Sequence, residues 1–177
     1  MSSLVINGDT SGSITLAAPA VAGSNTITLP TTGGTMRTTT TAGTVLQVVS
    51  TYNTNTVSTT SGLSMVPLSI TLSSASNKVL VCASCSVERA GGSGAGNYIY
   101  VYPRRNSSVI LGNSGSILNA AGYQTTTGMR QGGSIQYLDS PATTSTLTYD
   151  IYQDFANGGG AQFLFYGLNL TLMEIAA

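Results

Sequence analysis

The chain contains no histidine, so the Ser-His-Asp and Cys-His arrangements and zinc hydrolase sites of the HExxH type cannot be built from it. The groups left that could do chemistry are six carboxylates, Asp9, Glu88, Asp139, Asp150, Asp154 and Glu174, and two thiols, Cys82 and Cys85. Asp150 and Asp154 would share a face of one strand. At about 3.3 Å per residue they would stand roughly 13 Å apart, beyond the about 5 to 9.5 Å that glycoside hydrolysis uses. A pair drawn from distant strands stays open, although no spacing selects one. Cys82 and Cys85 point to opposite faces of a strand and cannot bridge without leaving it. A metal site built on them would need two further ligands, so they read as reduced, mostly buried thiols. The glycine runs lack the Lys-Ser/Thr of a phosphate loop, and no helix follows them. The expectation is a protein with no catalytic residues, no cofactor and no metal.

Recognition chemistry is better represented. The stretch Tyr98-Ile99-Tyr100-Val101-Tyr102-Pro103-Arg104-Arg105 places Tyr98, Tyr100 and Tyr102 on one face of a strand, with Arg104 and Arg105 at its end. Tyrosine and arginine carry much of the energy of binding surfaces. Tyrosines on strands also pack between subunits with the hydroxyl reaching the rim, so receptor contact and subunit contact both stand. Arg130, Arg89 and Tyr123, in or beside the long glycine-rich connections, are weaker candidates.

These residues need a β scaffold. Charged residues are 7% of the 177, against about 25% in an average domain, while the hydrophobic fraction is 41%. That combination argues against disorder and for a folded, Ser/Thr-coated protein. The zero net charge gives no pull toward nucleic acid or an anionic membrane. No apolar run is long enough to span a bilayer as a helix, and the Met1-Ser2-Ser3 start lacks a signal peptide's basic region, so synthesis in the cytosol is expected. Turn signals separate eight strand candidates: 45–50, 65–72, 78–87, 98–102, 108–111, 134–138, 146–152 and 162–174. No helical apolar period competes. The fold class expected is all-β, an antiparallel sandwich of jelly-roll type with an irregular β-sandwich of another topology as the alternative, and with glycine-rich loops at 90–96, 112–133 and 157–160. Along 79–87 the odd positions form one apolar face. Along the last strand, Leu164, Tyr166, Leu168, Leu170 and Leu172 fall on one face and Phe163, Phe165, Met173 and Ile175 on the other, which predicts cover on both sides and therefore a neighbouring subunit.

Ahead of this head, residues 1–41 read as a short stem and 42–177 as the globular part. Ile14 with Leu16, and Ile27 with Leu29, alternate with threonines in two minimal strands bracketing Ala-Pro-Ala-Val-Ala-Gly. Four apolar side chains make no core, so the stem must bury them against the head, a docking partner, or copies of itself around a three-fold axis. The run from Ala18 to Thr35, APAVAGSNTITLPTTGGT, resembles a segment near the front of fibre and other structural proteins of tailed bacteriophages, especially phages of aquatic bacteria. Gly43-Thr44-Val45-Leu46-Gln47-Val48-Val49, Leu68-Ser69-Ile70-Thr71, the stretch Ser74 to Val81 and the ending Leu172-Met173-Glu174-Ile175-Ala176 are similar to motifs that follow in those proteins. The resemblance implies a non-enzymatic virion protein made in the host cytoplasm: a short homotrimeric tail-fibre component bound to other virion proteins and contacting a host-surface glycan or protein. A capsid decoration or head-fibre protein is the alternative, and a bacterial surface adhesin or sugar-binding module a third. The middle of the chain, roughly 88–160, carries none of these motifs.

Overall fold

The computed structural model describes residues 3–17, 20–21, 41–54, 57–59, 62–91, 98–110, 130–156 and 162–177. The chain divides into two compact units, Met1–Met36 and Arg37–Ala177. In the first, β1 (Ser3–Asn7) and β2 (Ser13–Ala17) form an antiparallel hairpin. Its turn is closed by Gly8 N donating to Gly12 O at 3.0 Å, and Gly12 takes φ +81°, a conformation that favours glycine. The register sets Leu4 opposite Leu16 and Ile6 opposite Ile14 on one face, while Ser3, Val5, Asn7, Ser13, Thr15 and Ala17 occupy the other. The described partner of Ser13–Ala17 is thus β1, ahead of it in sequence. The segment with Ile27 and Leu29 lies outside the described residues.

The second unit is all-β, two antiparallel sheets sharing one hydrophobic core. Its strands are β3 (Val45–Asn53), β4 (Val57–Thr59), β5 (Leu63–Ile70), β6 (Lys78–Gly91), β7 (Tyr98–Arg105), β8 (Ser108–Val109), β9 (Arg130–Asp139), β10 (Leu147–Ala156) and β11 (Gln162–Ile175). One sheet has the order β5-β10-β7-β8; the other runs β3-β11-β6-β9, with β4 continuing beside β11 where β3 leaves it. Strand pairs nest within one another: β7 with β8, β6 with β9, β5 with β10 and β3 with β11. Each of the eight expected strands has a counterpart, that at 108–111 reduced to Ser108–Val109 among the described residues, and β4 is an addition. The strand β9 starts earlier than expected, taking Arg130 to Gly133 out of the anticipated loop and into the sheet.

Alternation holds along β6, where Val79, Val81, Ala83, Cys85 and Val87 are buried and the intervening residues are half-buried. In β11 it does not run unbroken. Tyr166 and Asn169 face Ser86 and Ser84, three steps on β11 against two on β6, and Gly167 in this bulge has φ +56°. One extra residue reverses the pleat. Phe163 and Phe165 therefore bury on the same side as Leu168, Leu170 and Leu172, all at 1% exposure or less. The two-faced reading of this strand is corrected: it is apolar toward one core, with its phase reset at Gly167, and it supplies no argument for a neighbouring subunit. Met173 and Ile175 fall on the outward face, half-buried.

Candidate functional site

The outward face of the β5-β10-β7-β8 sheet gathers Tyr100, Tyr102 and Arg104 of the expected contact residues. Its register places Arg104 opposite Asp150, Tyr102 opposite Tyr152 and Tyr100 opposite Asp154. These side chains lock together. The Arg104 guanidinium donates through Nε to Asp150 Oδ1 at 3.0 Å and through Nη2 to Oδ2, a two-pronged pairing of an arginine with a carboxylate. The hydrogen bonds it donates to Asp150 keep the guanidinium firmly protonated. Its Cζ also lies 3.8 Å from the centre of the Tyr152 ring, within cation–π range. Tyr152 meets Tyr102 at 5.6 Å between ring centres, tilted by 45°. The Tyr102 hydroxyl donates to Asp154 Oδ2 at a long 3.4 Å, and burial, followed by the charge of Asp154, raises its pKa.

A backbone irregularity on the edge strand serves this cluster. Tyr149 faces Leu68 but Ile151 faces Met65, so β5 carries an extra residue there, and Val66 adopts φ 47°, rare for a β-branched residue. The bulge turns Ser64 outward, where its hydroxyl donates to Asp150 Oδ2. It also brings Gly62 against the Tyr152 hydroxyl, leaving no room for a Cβ. Pro67 sits within the bulge, on an edge where its missing N–H is tolerated.

The other predicted residues are placed differently. The sequence places Arg105 beside Arg104 at the end of the strand as a second contact residue, but consecutive strand residues point to opposite faces. Arg105 turns inward and donates from Nη1 to Asp139 Oδ2 at 2.6 Å, joining β7 to the end of β9 in the other sheet. The buried Tyr149 hydroxyl donates to the same oxygen at 2.7 Å, and burial, reinforced by Asp139, pushes that phenol's pKa up. This inner cluster is a clasp between sheets. Arg130 lies on the outward face of the other sheet, pairing through Nε with Glu88 Oε2 at 2.7 Å and stacking 3.9 Å from the Tyr166 ring centre. The arginine holds the Glu88 carboxyl below its usual range. Tyr98 opens β7 in line with Tyr100, and nothing is described of its side chain. Ile14 and Leu16 are 65% and 51% exposed in the stem hairpin, joined by Leu4 and Ile6, which sequence reasoning missed although Leu4-Val5-Ile6-Asn7 offers a short apolar strand.

Two further groups are structural. Glu174 is buried among the core positions of β11, in the wall of a hollow of about 740 Å³ lined by Thr44, Gln47 and Asn77 among others. Its carboxylate accepts from Gln47 Nε2 at 2.6 Å, Ser73 N and Oγ at 2.7 Å each, and Asn77 Nδ2 at 2.6 Å. Burial opposes ionisation, but these donors prevail and hold the carboxyl below its usual range. Cys85 is buried and its thiol is pushed up to about 12 by burial, and Cys82, half-buried on the opposite face, is raised less. Among the described residues no cluster of three metal-ligating side chains occurs.

Compared with known proteins, the chain is matched by no protein-family model and by no curated protein.

Proposed function

We propose that this chain is a non-enzymatic structural protein of a phage virion: a short, homotrimeric tail-fibre component whose N-terminal stem assembles or docks it and whose head meets the host surface. The observation that carries the reading is the β1-β2 hairpin. Leu4, Ile6, Ile14 and Leu16 form one continuous apolar face at 51 to 65% exposure, and a two-stranded sheet is marginal in water without cover. Three such hairpins turned toward a common axis would bury twelve large side chains, a core that one copy cannot make. The phage-like motifs through residues 18–49 support the virion setting.

The head is read as a jelly roll. Supporting that is the order of its two sheets, β3-β11-β6-β9 and β5-β10-β7-β8, in which nested pairs alternate between layers. This architecture recurs in viral capsid and lectin domains, and the function rests on the site and stem rather than on the fold. The outward Tyr/Arg face of the β5-β10-β7-β8 sheet is the proposed host contact.

Light scattering tests the assembly: the expected mass is three chains, and a monomer at micromolar concentration overturns it. Deleting residues 1–36 should leave a folded head that no longer enters virions. Incorporation at normal copy number would refute the docking role of the stem.

A further inference from the structure

We infer that the outward face of the β5-β10-β7-β8 sheet binds a neutral, hydroxyl-rich ring, the chemistry of a hexose unit in a glycan. The inference rests on the attachment reading of that face and names its ligand class.

Tyr100, 37% exposed, and the half-buried Tyr102 stand two residues apart on β7, about 6.6 Å along the strand. The C–H groups on the underside of a sugar ring carry slight positive charge and settle against the negative face of an aromatic ring. Equatorial hydroxyls then point sideways, where the exposed carboxylate of Asp154 can accept from them, and the 3.4 Å bond from the Tyr102 hydroxyl is long enough to be exchanged for a ligand hydroxyl. The platform is held before a ligand arrives: Tyr102 leans on Tyr152, and Tyr152 is fixed between Arg104 and Gly62. Rigid aromatic contacts lose little entropy on binding.

Charge selects against acidic ligands. The guanidinium of Arg104 is already committed to Asp150 by two hydrogen bonds, so it is poorly placed to take a phosphate, sulfate or uronate, and Asp154 repels them. The polar character of the face also distinguishes it from a permanent protein contact, which is more apolar. On the outward face of the other sheet, Val48, Met173, Leu80 and Leu138 align in one register row across four strands, with Val48 and Leu138 exposed by 54% and 46%. That row suits protein; the tyrosine face suits hydroxyls.

The test applies the intact protein to an array of neutral hexose and deoxyhexose oligosaccharides beside their sulfated and uronic-acid counterparts. Tyrosine emission is followed in parallel, since the chain has nine tyrosines and no tryptophan. Binding to neutral glycans is expected, reduced about tenfold or more by Tyr102→Ala, which corresponds to about 1.4 kcal/mol. Tyr102→Phe should keep most of it, and Tyr52→Ala, 61% exposed on the other sheet, all of it. Thermal melts of each variant separate lost binding from lost fold, and Tyr100→Ala provides a second removal of a ring. Binding confined to acidic glycans, or binding indifferent to both Tyr100→Ala and Tyr102→Ala, overturns the inference. Host cells that bind the protein only until their surface proteins are digested overturn the glycan while leaving attachment standing. No binding to glycans or to host cells overturns both.

Discussion

Adjacent arginines on β7 answer to different partners. Arg104 holds Asp150 and covers Tyr152 on the outward face, whereas Arg105 neutralises Asp139 on the inner side beneath the Tyr149 hydroxyl. Removing Arg105 strands a carboxylate that is only 8% exposed, and breaking such a pair from one side costs about 3 kcal/mol. Arg105→Ala should therefore lower the urea midpoint markedly, and Arg104→Ala by a comparable amount, because the Asp150 carboxylate, 10% exposed, is about as deeply placed as that of Asp139. A double Arg104/Arg105 alanine variant would confuse recognition with folding, so the single changes are the informative ones. Glu174 makes a pH prediction. Its carboxyl is held below the unfolded value, so the stabilisation is complete above the ordinary glutamate pKa of about 4.3 and is lost as pH falls through the depressed folded value. Urea melts of the native chain should weaken as pH falls below about 4. Glu174→Gln, which turns an amide toward several donors, should be about 2 kcal/mol less stable at pH 7 and much flatter across the acid range. Gln153 runs the other way. It is fully buried with neither amide atom bonded among the described residues, and Gln153→Met should stabilise by about 1 kcal/mol in the same assay.

At the scale of the element, β11 depends on Gly167. Its φ of +56° is strained for any residue with a Cβ, so Gly167→Ala should cost about 1 to 2 kcal/mol. Deleting Gly167 should be far worse, because it would turn Phe163 and Phe165 away from the core that holds Leu168, Leu170 and Leu172. Circular dichroism and a thermal melt would separate the two: a weakened fold for the substitution, no cooperative transition for the deletion. The same residue shows where sequence reading stops. Strand positions and the buried face of β6 were legible, since a period of two survives in an unbroken strand. The phase reset in β11 was not, because counting alternate residues assumes no bulge. The opposite facing of Arg104 and Arg105 follows from that period as well, but treating both as the end of the strand obscures it. Asp150 and Tyr152 as companions of the tyrosine run required the β7-β10 register, a pairing of segments 46 positions apart at Arg104 and Asp150, and local pattern cannot supply it.

For the whole molecule, assembly should be sensitive to the stem and insensitive to the tyrosine face. Leu16→Asp places a charge on the hairpin's apolar face and should convert the proposed trimer to monomer by light scattering, with the head's thermal transition retained. A trimer that survives Leu16→Asp would place the contacts elsewhere, and the outward row of Val48, Met173, Leu80 and Leu138 would be next to test. The nested strand pairs reach further than architecture. The innermost pair, β7 with β8, is joined by the two-residue Asn106-Ser107 turn, whereas β3 and β11 lie more than a hundred residues apart in sequence and pair throughout Leu168 to Ile175. Synthesis therefore delivers the hairpins before their frame: β3 and β6 must wait, with their facing edges unsatisfied, until the ribosome has made the strand that runs between them. Folding of the head is in that sense governed by the slow closure of distant segments, and a nascent chain stalled before Gln162 would be left with two open sheet edges, a substrate for chaperones.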